Sequence, residues 1–141
     1  MSEKSVQNVK VLIIGSGPAG LSAAIYTGRA GLAPVVLSGD TFGGQASLTA
    51  DIENYPGFVE SVSGSELMDK FREHAEKFGA QVVSDIVEKV DFSGKPLIVE
   101  TGFTRYECER VIIAAGSGHS GRTIKRKEGV EGPGRILDFH I

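Results

Sequence analysis

With a single cysteine in 141 residues, Cys108, the chain can close no internal disulfide, carry no Cys-x-x-Cys redox pair and build no cysteine cage around a metal. Long apolar runs are missing too. No stretch approaches the roughly 20 consecutive apolar residues of a membrane-spanning helix. The opening MSEKSVQNVK is polar and has no apolar run of signal-peptide length, so a cytoplasmic protein is expected. Positive charge is scarce as well. Fifteen Lys and Arg against eighteen Asp and Glu leave a net charge of -3, with no overall field to hold nucleic acid or an anionic membrane. The Lys125-Arg126-Lys127 cluster stands next to Glu128 and reads as a solvated face. No internal repeat is visible, and the length suits one domain of ordinary size.

What the chain does have is glycine, 19 residues of it, on a background that is 40% hydrophobic and 23% charged, a globular composition. Val9 to Ile14, VKVLII, is a nearly continuous apolar run of strand length, as in a strand buried on both faces of a parallel sheet. Gly15-Ser16-Gly17-Pro18-Ala19-Gly20 follows and opens into an alanine-rich helix, where Pro18 suits the first turn because its missing N–H costs nothing there. The helix should stop near Gly31, and Ala33 to Leu37 supplies a second apolar strand, completing a βαβ unit with a right-handed crossover.

From Gly39 to about Ser65 periodicity is lost, which predicts a long loop with functional content and one short helical turn. Ser63-Gly64-Ser65-Glu66 is a capping box, and Leu67, Phe71, Ala75 and Phe78 recur at helical spacing before Gly79 stops the helix. Gln81–Ser84, Val87–Phe92, Leu97–Thr101 and Arg105–Cys108 read as short strands of a small antiparallel meander. Val111 to Ala115 then returns to the pattern of a central parallel strand, ending at Gly116. Residues 118–141 show no sustained period until Ile136-Leu137-Asp138-Phe139 and are expected to be irregular.

A bare Gly-x-Gly-x-x-Gly is a weak signal, since glycines cluster in any loop. Here it follows a buried strand, opens a helix and lies inside a βαβ unit. That context places Gly15 in the tight turn, Gly17 where a pyrophosphate meets the backbone and Gly20 where helix packs on strand. Free N–H groups and the helix dipole would then hold the diphosphate of a dinucleotide. An acidic ribose ligand is expected about twenty residues beyond the last glycine, and Asp40 has that spacing. It sits just past Ser38 and Gly39, so either Ser38 or Asp40 is placed to make the contact, and a solvated loop carboxylate is the competing reading of Asp40.

VLIIGSGPAGLSAAIYTGRAGL, Gly43-Gly44-Gln45, Asp51-Ile52-Glu53-Asn54-Tyr55-Pro56-Gly57 and the Val111 to Gly116 strand together resemble the N-terminal part of the flavin domain of low-molecular-weight thioredoxin reductases, within the pyridine nucleotide-disulfide oxidoreductases. The likeness covers residues 8 to 117. GGQ and ENYPG at this spacing are more specific than the glycine turn. The resemblance implies an α/β, Rossmann-like FAD-binding fold with a parallel sheet and an antiparallel meander, incomplete relative to the family.

It also implies an FAD site. Gly15 to Gly20 would hold the diphosphate, with Ser16, Pro18 and Ala19 as backbone lining. Gly44 and Gln45 would lie against the ribityl chain and diphosphate, Asn54 would approach the isoalloxazine ring, Val87 would offer its backbone to the adenine, and Ala115-Gly116 would pass beneath the cofactor. Small residues admit close backbone approach, and an amide such as Asn54 both donates to and accepts from a flavin edge. For Asn54-Tyr55-Pro56-Gly57 a plain turn is the competing reading.

Complete family members go on to an NADPH domain with its own glycine turn and Cys-x-x-Cys pair, and then to a returning segment with a Gly-Asp on the ribityl phosphate side. None of these is found in the 141 residues. The expectation is therefore a partial FAD-binding domain over 1–117 with a divergent tail over 118–141. Alone it should be inactive in thioredoxin reduction, NADPH and thioredoxin being partners of a complete member only. A homodimer or a complementing chain would supply the missing wall. The reading from a different class is a non-catalytic module that binds FAD, NAD or ADP through the same turn. Cys108, without a partner, reads as a structural thiol, and His74 as a surface residue of the capped helix.

Overall fold

The computed structural model describes residues 3–116, so the expectations for the 118–141 tail, Ile136–Phe139 included, lie outside the described residues. Six strands form one sheet in the order β3-β2-β1-β6-β5-β4: β1 Ser5–Ile14, β2 Val35–Leu37, β3 Gln81–Val83, β4 Val87–Asp91, β5 Leu97–Thr101 and β6 Thr104–Ile113. β1 pairs in parallel with both β2 and β6, and β2 with β3, while β5 runs antiparallel to β4 and β6. The βαβ unit and the central apolar strand are thus where the sequence places them.

Two features differ from the sequence expectation. Gln81–Val83 is no part of the meander: it pairs in parallel with β2 at the far edge of the sheet. Arg105–Cys108 and the Val111 run are one continuous strand, β6, which pairs with β1 from Ser5–Thr104 to Ile14–Ile113. The polar Glu109-Arg110 step looks like a break in sequence, yet both residues are exposed and simply continue the ladder. The same ten-residue partner extends β1 back to Ser5, past the expected start at Val9.

β3 and β4 are opposite edges of the strand order, yet only Ser84, Asp85 and Ile86 join them. A flat sheet would hold these edges about 24 Å apart, at roughly 4.8 Å per strand spacing, whereas four peptide steps reach at most about 14 Å. The sheet must therefore coil. Its apolar packing shows the result: Leu12 and Ile14 of β1 and Val35 and Leu37 of β2 share one buried cluster with Val99, Tyr106 and Cys108 of β5 and β6, with Val83 of β3 and Val87 of β4 against it. The antiparallel strands curl over one face of the parallel ones.

The other face is covered by α1 Pro18–Arg29 and α2 Gly64–Lys77, which pack Leu21, Ala24, Leu67, Met68 and Ala75 against Val11, Ile13 and Val36. Burying each of the larger side chains contributes about 1.5–3 kcal/mol. α2 begins as its capping box predicts, with the Glu66 N–H donating to Ser63 Oγ at 3.2 Å, and it ends where Gly79 takes φ +90°.

Candidate functional site

The glycine turn joins the C-terminal end of β1 to the N-terminus of α1, between the ends of β2 and β6. The Gly15 N–H donates to Leu37 O at 2.9 Å, and the Ala114 N–H donates to Ile14 O at 2.8 Å, so both neighbouring strands brace it. Gly15 has φ +111°, and a Cβ there would lie 2.1 Å from Ala114 O and 3.1 Å from Ala115 Cα. A Cβ on Gly20 would lie 1.9 Å from Gly15 O. Both positions are closed to any side chain by the fold itself, and Ala115 is held directly beside the turn.

Gly17 is different. Its φ of -73° suits any residue, and a Cβ there would meet nothing nearer than Gly43 O at 3.9 Å. Nothing in the packing demands glycine at this position; what the absent side chain leaves is open space at the helix start. Pro18 fills the first turn as predicted, no side chain caps α1, and its first turn holds no acidic residue. The N–H groups and the positive end of the dipole are left facing that space, the arrangement that binds phosphate.

Opposite Gly17 stands the Gly43-Gly44-Gln45 loop. Gly43 and Gly44 both have positive φ, +83° and +59°, and lead into a 3₁₀ turn, Gly44–Leu48. A Cβ on Gly44 would be 3.5 Å from Gly17 Cα, so the loop lies against the turn. The single helical turn expected in this loop is this one. Its far end is fixed to α2, where the Gly64 N–H donates to Thr49 O at 2.8 Å and a Gly64 Cβ would strike Ala46 O at 1.8 Å. Its near end is fixed by Ser16. That residue is only 2% exposed, and its Oγ accepts the Gly43 N–H at 3.0 Å. The sequence marks Ser16 only as backbone lining and Gly43 only as part of the Gly43-Gly44-Gln45 motif, and the bond between them is visible only in the structure.

Ser38 is half-buried after β2, and its hydroxyl donates to Gly39 O at 3.3 Å. Asp40 is exposed and lines a cavity of about 310 Å³ with Asp85, Ile86, Glu88 and Phe103, which brings it to the start of β4 at Val87. Asp85 and Glu88 are additions that only the coiling of the sheet places there. Gln45 and Asn54 are exposed, Asn54 lying between the Ile52–Val62 bridge and a turn in which the Phe58 N–H donates to Tyr55 O at 3.3 Å. Pro56 followed by Gly57 at φ +96° gives that turn its shape. A larger hollow of about 530 Å³, lined by Tyr26, Tyr55, Phe71 and Phe78, shares no lining residue with the glycine turn.

Cys108 is fully buried in the β6 cluster, and burial pushes its thiol up to about 11. It is protonated at neutral pH and packs as a small apolar residue, in keeping with a structural role. Burial also raises the Tyr106 hydroxyl above its ordinary value. His74 is on the exposed side of α2, with its ring 5.5 Å from that of Phe78.

Comparison with known proteins shows the family and relatives of this chain. The model of the pyridine nucleotide-disulphide oxidoreductase family matches residues 9–138. A thioredoxin reductase of Rickettsia bellii is 57% identical over 109 residues, covering 77% of this chain and 35% of that protein. A glucosaminate ammonia-lyase of Pseudomonas fluorescens is 43% identical over 112 residues, 79% of this chain and 35% of its own. Among solved structures, a thioredoxin reductase from Gloeobacter violaceus superposes with a TM-score of 0.75 at 32% identity, over 78% of this chain and 37% of that one. The chain spans about a third of the length of the curated relatives it matches. No helix among the described residues is long and apolar enough to cross a membrane.

Proposed function

Because this chain belongs to the pyridine nucleotide-disulphide oxidoreductase family, a family of FAD-binding flavoproteins, we propose that it is the FAD-binding portion of a thioredoxin reductase-like disulfide oxidoreductase. The observation that carries the reading is the room at Gly17. Of the three fingerprint glycines, it alone has no neighbour that forbids a side chain, and it faces an uncapped helix N-terminus. A diphosphate needs that space and those N–H groups.

The other residues fit the same ligand. Gly15 to Gly20, with Ser16, Pro18 and Ala19 supplying backbone, would hold the diphosphate. Gly44 and Gln45 would lie against the ribityl chain and the diphosphate, Asn54 would offer its amide to the flavin edge, and Ala115-Gly116 would run beneath. The cavity beside Asp40 would take the adenosine end, with Ser38 or Asp40 on the ribose and the Val87 backbone on the adenine. Bound there, the flavin supplies two-electron transfer between a nicotinamide and a disulfide. The 141 residues contain one cysteine, and it is buried; by themselves they offer no dithiol, so thioredoxin reduction by NADPH belongs to a complete family member. We place the chain in the cytoplasm. A second copy or a complementing chain would cover exposed apolar residues such as Leu48 and Val59.

One observation favours a second reading, a non-catalytic module for FAD, NAD or ADP: the same region recurs at 43% identity in a protein named for a lyase activity, so this region alone does not fix a reaction. An absorbance spectrum of the purified chain with mass spectrometry of the released ligand identifies which of these dinucleotides or nucleotides the turn holds. Flavin bands and the mass of FAD are expected. Released NAD or ADP would favour the module, and a protein that stays colourless after incubation with FAD would overturn the flavin assignment.

A further inference from the structure

We propose that Ser16 is a positioning residue whose hydroxyl sets the Gly43-Gly44 loop against the glycine turn, and so selects for the flavin half of the dinucleotide over its adenosine diphosphate half. The proposal rests on the FAD reading above. Ser16 sits in the middle of the turn, where diphosphate binding uses backbone and asks nothing of the side chain. The side chain is nevertheless buried, at 2% exposure, and reaches 27 residues along the chain to accept the Gly43 N–H at 3.0 Å.

What it holds does not hold itself. Two successive residues with positive φ, Gly43 and Gly44, are conformationally permissive and need external contacts to stay in one geometry. α2 supplies those at the loop's far side: Met68 approaches Gly43, and Gly64 locks onto Ala46 and Thr49. Within the loop, the Ser47 hydroxyl donates to Gly44 O at 2.7 Å. Ser16 adds the polar link on the ligand side, from the turn itself. Gly44 then stands 3.5 Å from Gly17 Cα, measured from where its Cβ would be, and Gln45 comes next. Under the FAD reading these residues meet the diphosphate, which both ligands have, and the ribityl chain, which FAD has and ADP lacks, so a displaced loop costs FAD both contacts and ADP only one, while the adenosine contacts are common to both.

The test is Ser16→Ala in the full chain, with FAD and ADP affinities measured by titration and by competition, and amide exchange of the ligand-free protein followed residue by residue. The expected result is about a tenfold loss of FAD affinity with ADP affinity kept within about threefold. Exchange should become faster at Gly43 and Gly44, while the Leu21 amide, bonded to Gly17 O in α1, stays protected. Equal losses for FAD and ADP would show that Ser16 merely supports the turn and would overturn the selective role. Unchanged affinity for both, or unchanged exchange at Gly43, would overturn it as well. If the wild-type chain binds ADP but not FAD, or neither, the FAD reading itself fails and this proposal falls with it.

Discussion

Placing a methyl group on Gly17 and, separately, on Gly20 separates what the fold needs from what a ligand needs. At Gly20 the new carbon would lie 1.9 Å from Gly15 O and 2.9 Å from Gly15 C. These are backbone atoms of a turn pinned by the Gly15 N–H to Leu37 O bond, so relief means moving the end of β1 or the start of α1 by more than an ångström. Overpacking of this kind costs about 1–3 kcal/mol and more where backbone is struck. About 3 kcal/mol is a large share of the roughly 5–15 kcal/mol available to a small domain.

At Gly17 two small effects oppose each other. Alanine at a compatible φ gains about 0.4–1 kcal/mol by restricting the unfolded chain, and alanine in place of glycine at an N-cap loses about 0.5–1 kcal/mol. The net is near zero, and the nearest atom at 3.9 Å adds no clash. Under the FAD reading the methyl would, however, occupy the space that the diphosphate takes. Urea denaturation of the ligand-free proteins should therefore show Gly20→Ala strongly destabilised and Gly17→Ala close to wild type. A flavin-fluorescence titration should show Gly17→Ala binding FAD at least about tenfold more weakly, equivalent to about 1.4 kcal/mol. A well-folded Gly17→Ala protein with affinity within twofold of wild type would refute the placement of the diphosphate, and a Gly20→Ala protein as stable as wild type would refute the close helix–strand approach.

Titration of Cys108 gives a second test. Its thiol rises from the ordinary 9.0 to about 11 in the folded chain, so the folded state holds this proton more tightly than the unfolded state. The contribution is complete below pH 9 and is lost as pH climbs toward 11, by about 2–3 kcal/mol. The stability gap between wild type and Cys108→Ala should shrink by that amount between pH 8 and 11; a gap that stays constant across the window would contradict the burial effect. Asn54→Ala alters an exposed side chain and should change stability by less than about 0.5 kcal/mol, while weakening flavin binding severalfold and shifting the flavin spectrum. Unchanged affinity and spectrum would remove Asn54 from the site.

The parts of this protein that were legible in its sequence are those set by residues close together along the chain. VKVLII, the glycine turn and Pro18 announce strand, turn and helix because burial on both faces, close approach and an N-terminal proline each have a local signature. Ser63 and Glu66 mark the start of α2 because a capping bond spans three residues, and Pro56-Gly57 marks a turn through φ alone. Pairing between distant segments left no such mark. Gln81–Val83 has the length and composition of a meander strand, and only the free edge of β2 draws it into the parallel sheet. Glu109-Arg110 is a polar interruption until β1 runs beside it and makes one strand of two. In the site, the residue types of the glycine turn could be read from spacing, but the bond from Ser16 to Gly43 and the cavity that gathers Asp40 with Asp85 and Glu88 could not. The first needs the loop folded back across the turn by α2, and the second needs the sheet coiled by the three-residue link between its two edges. A hydroxyl bonds whatever donor the fold brings within about 3 Å, and which donor that is depends on contacts far apart in sequence.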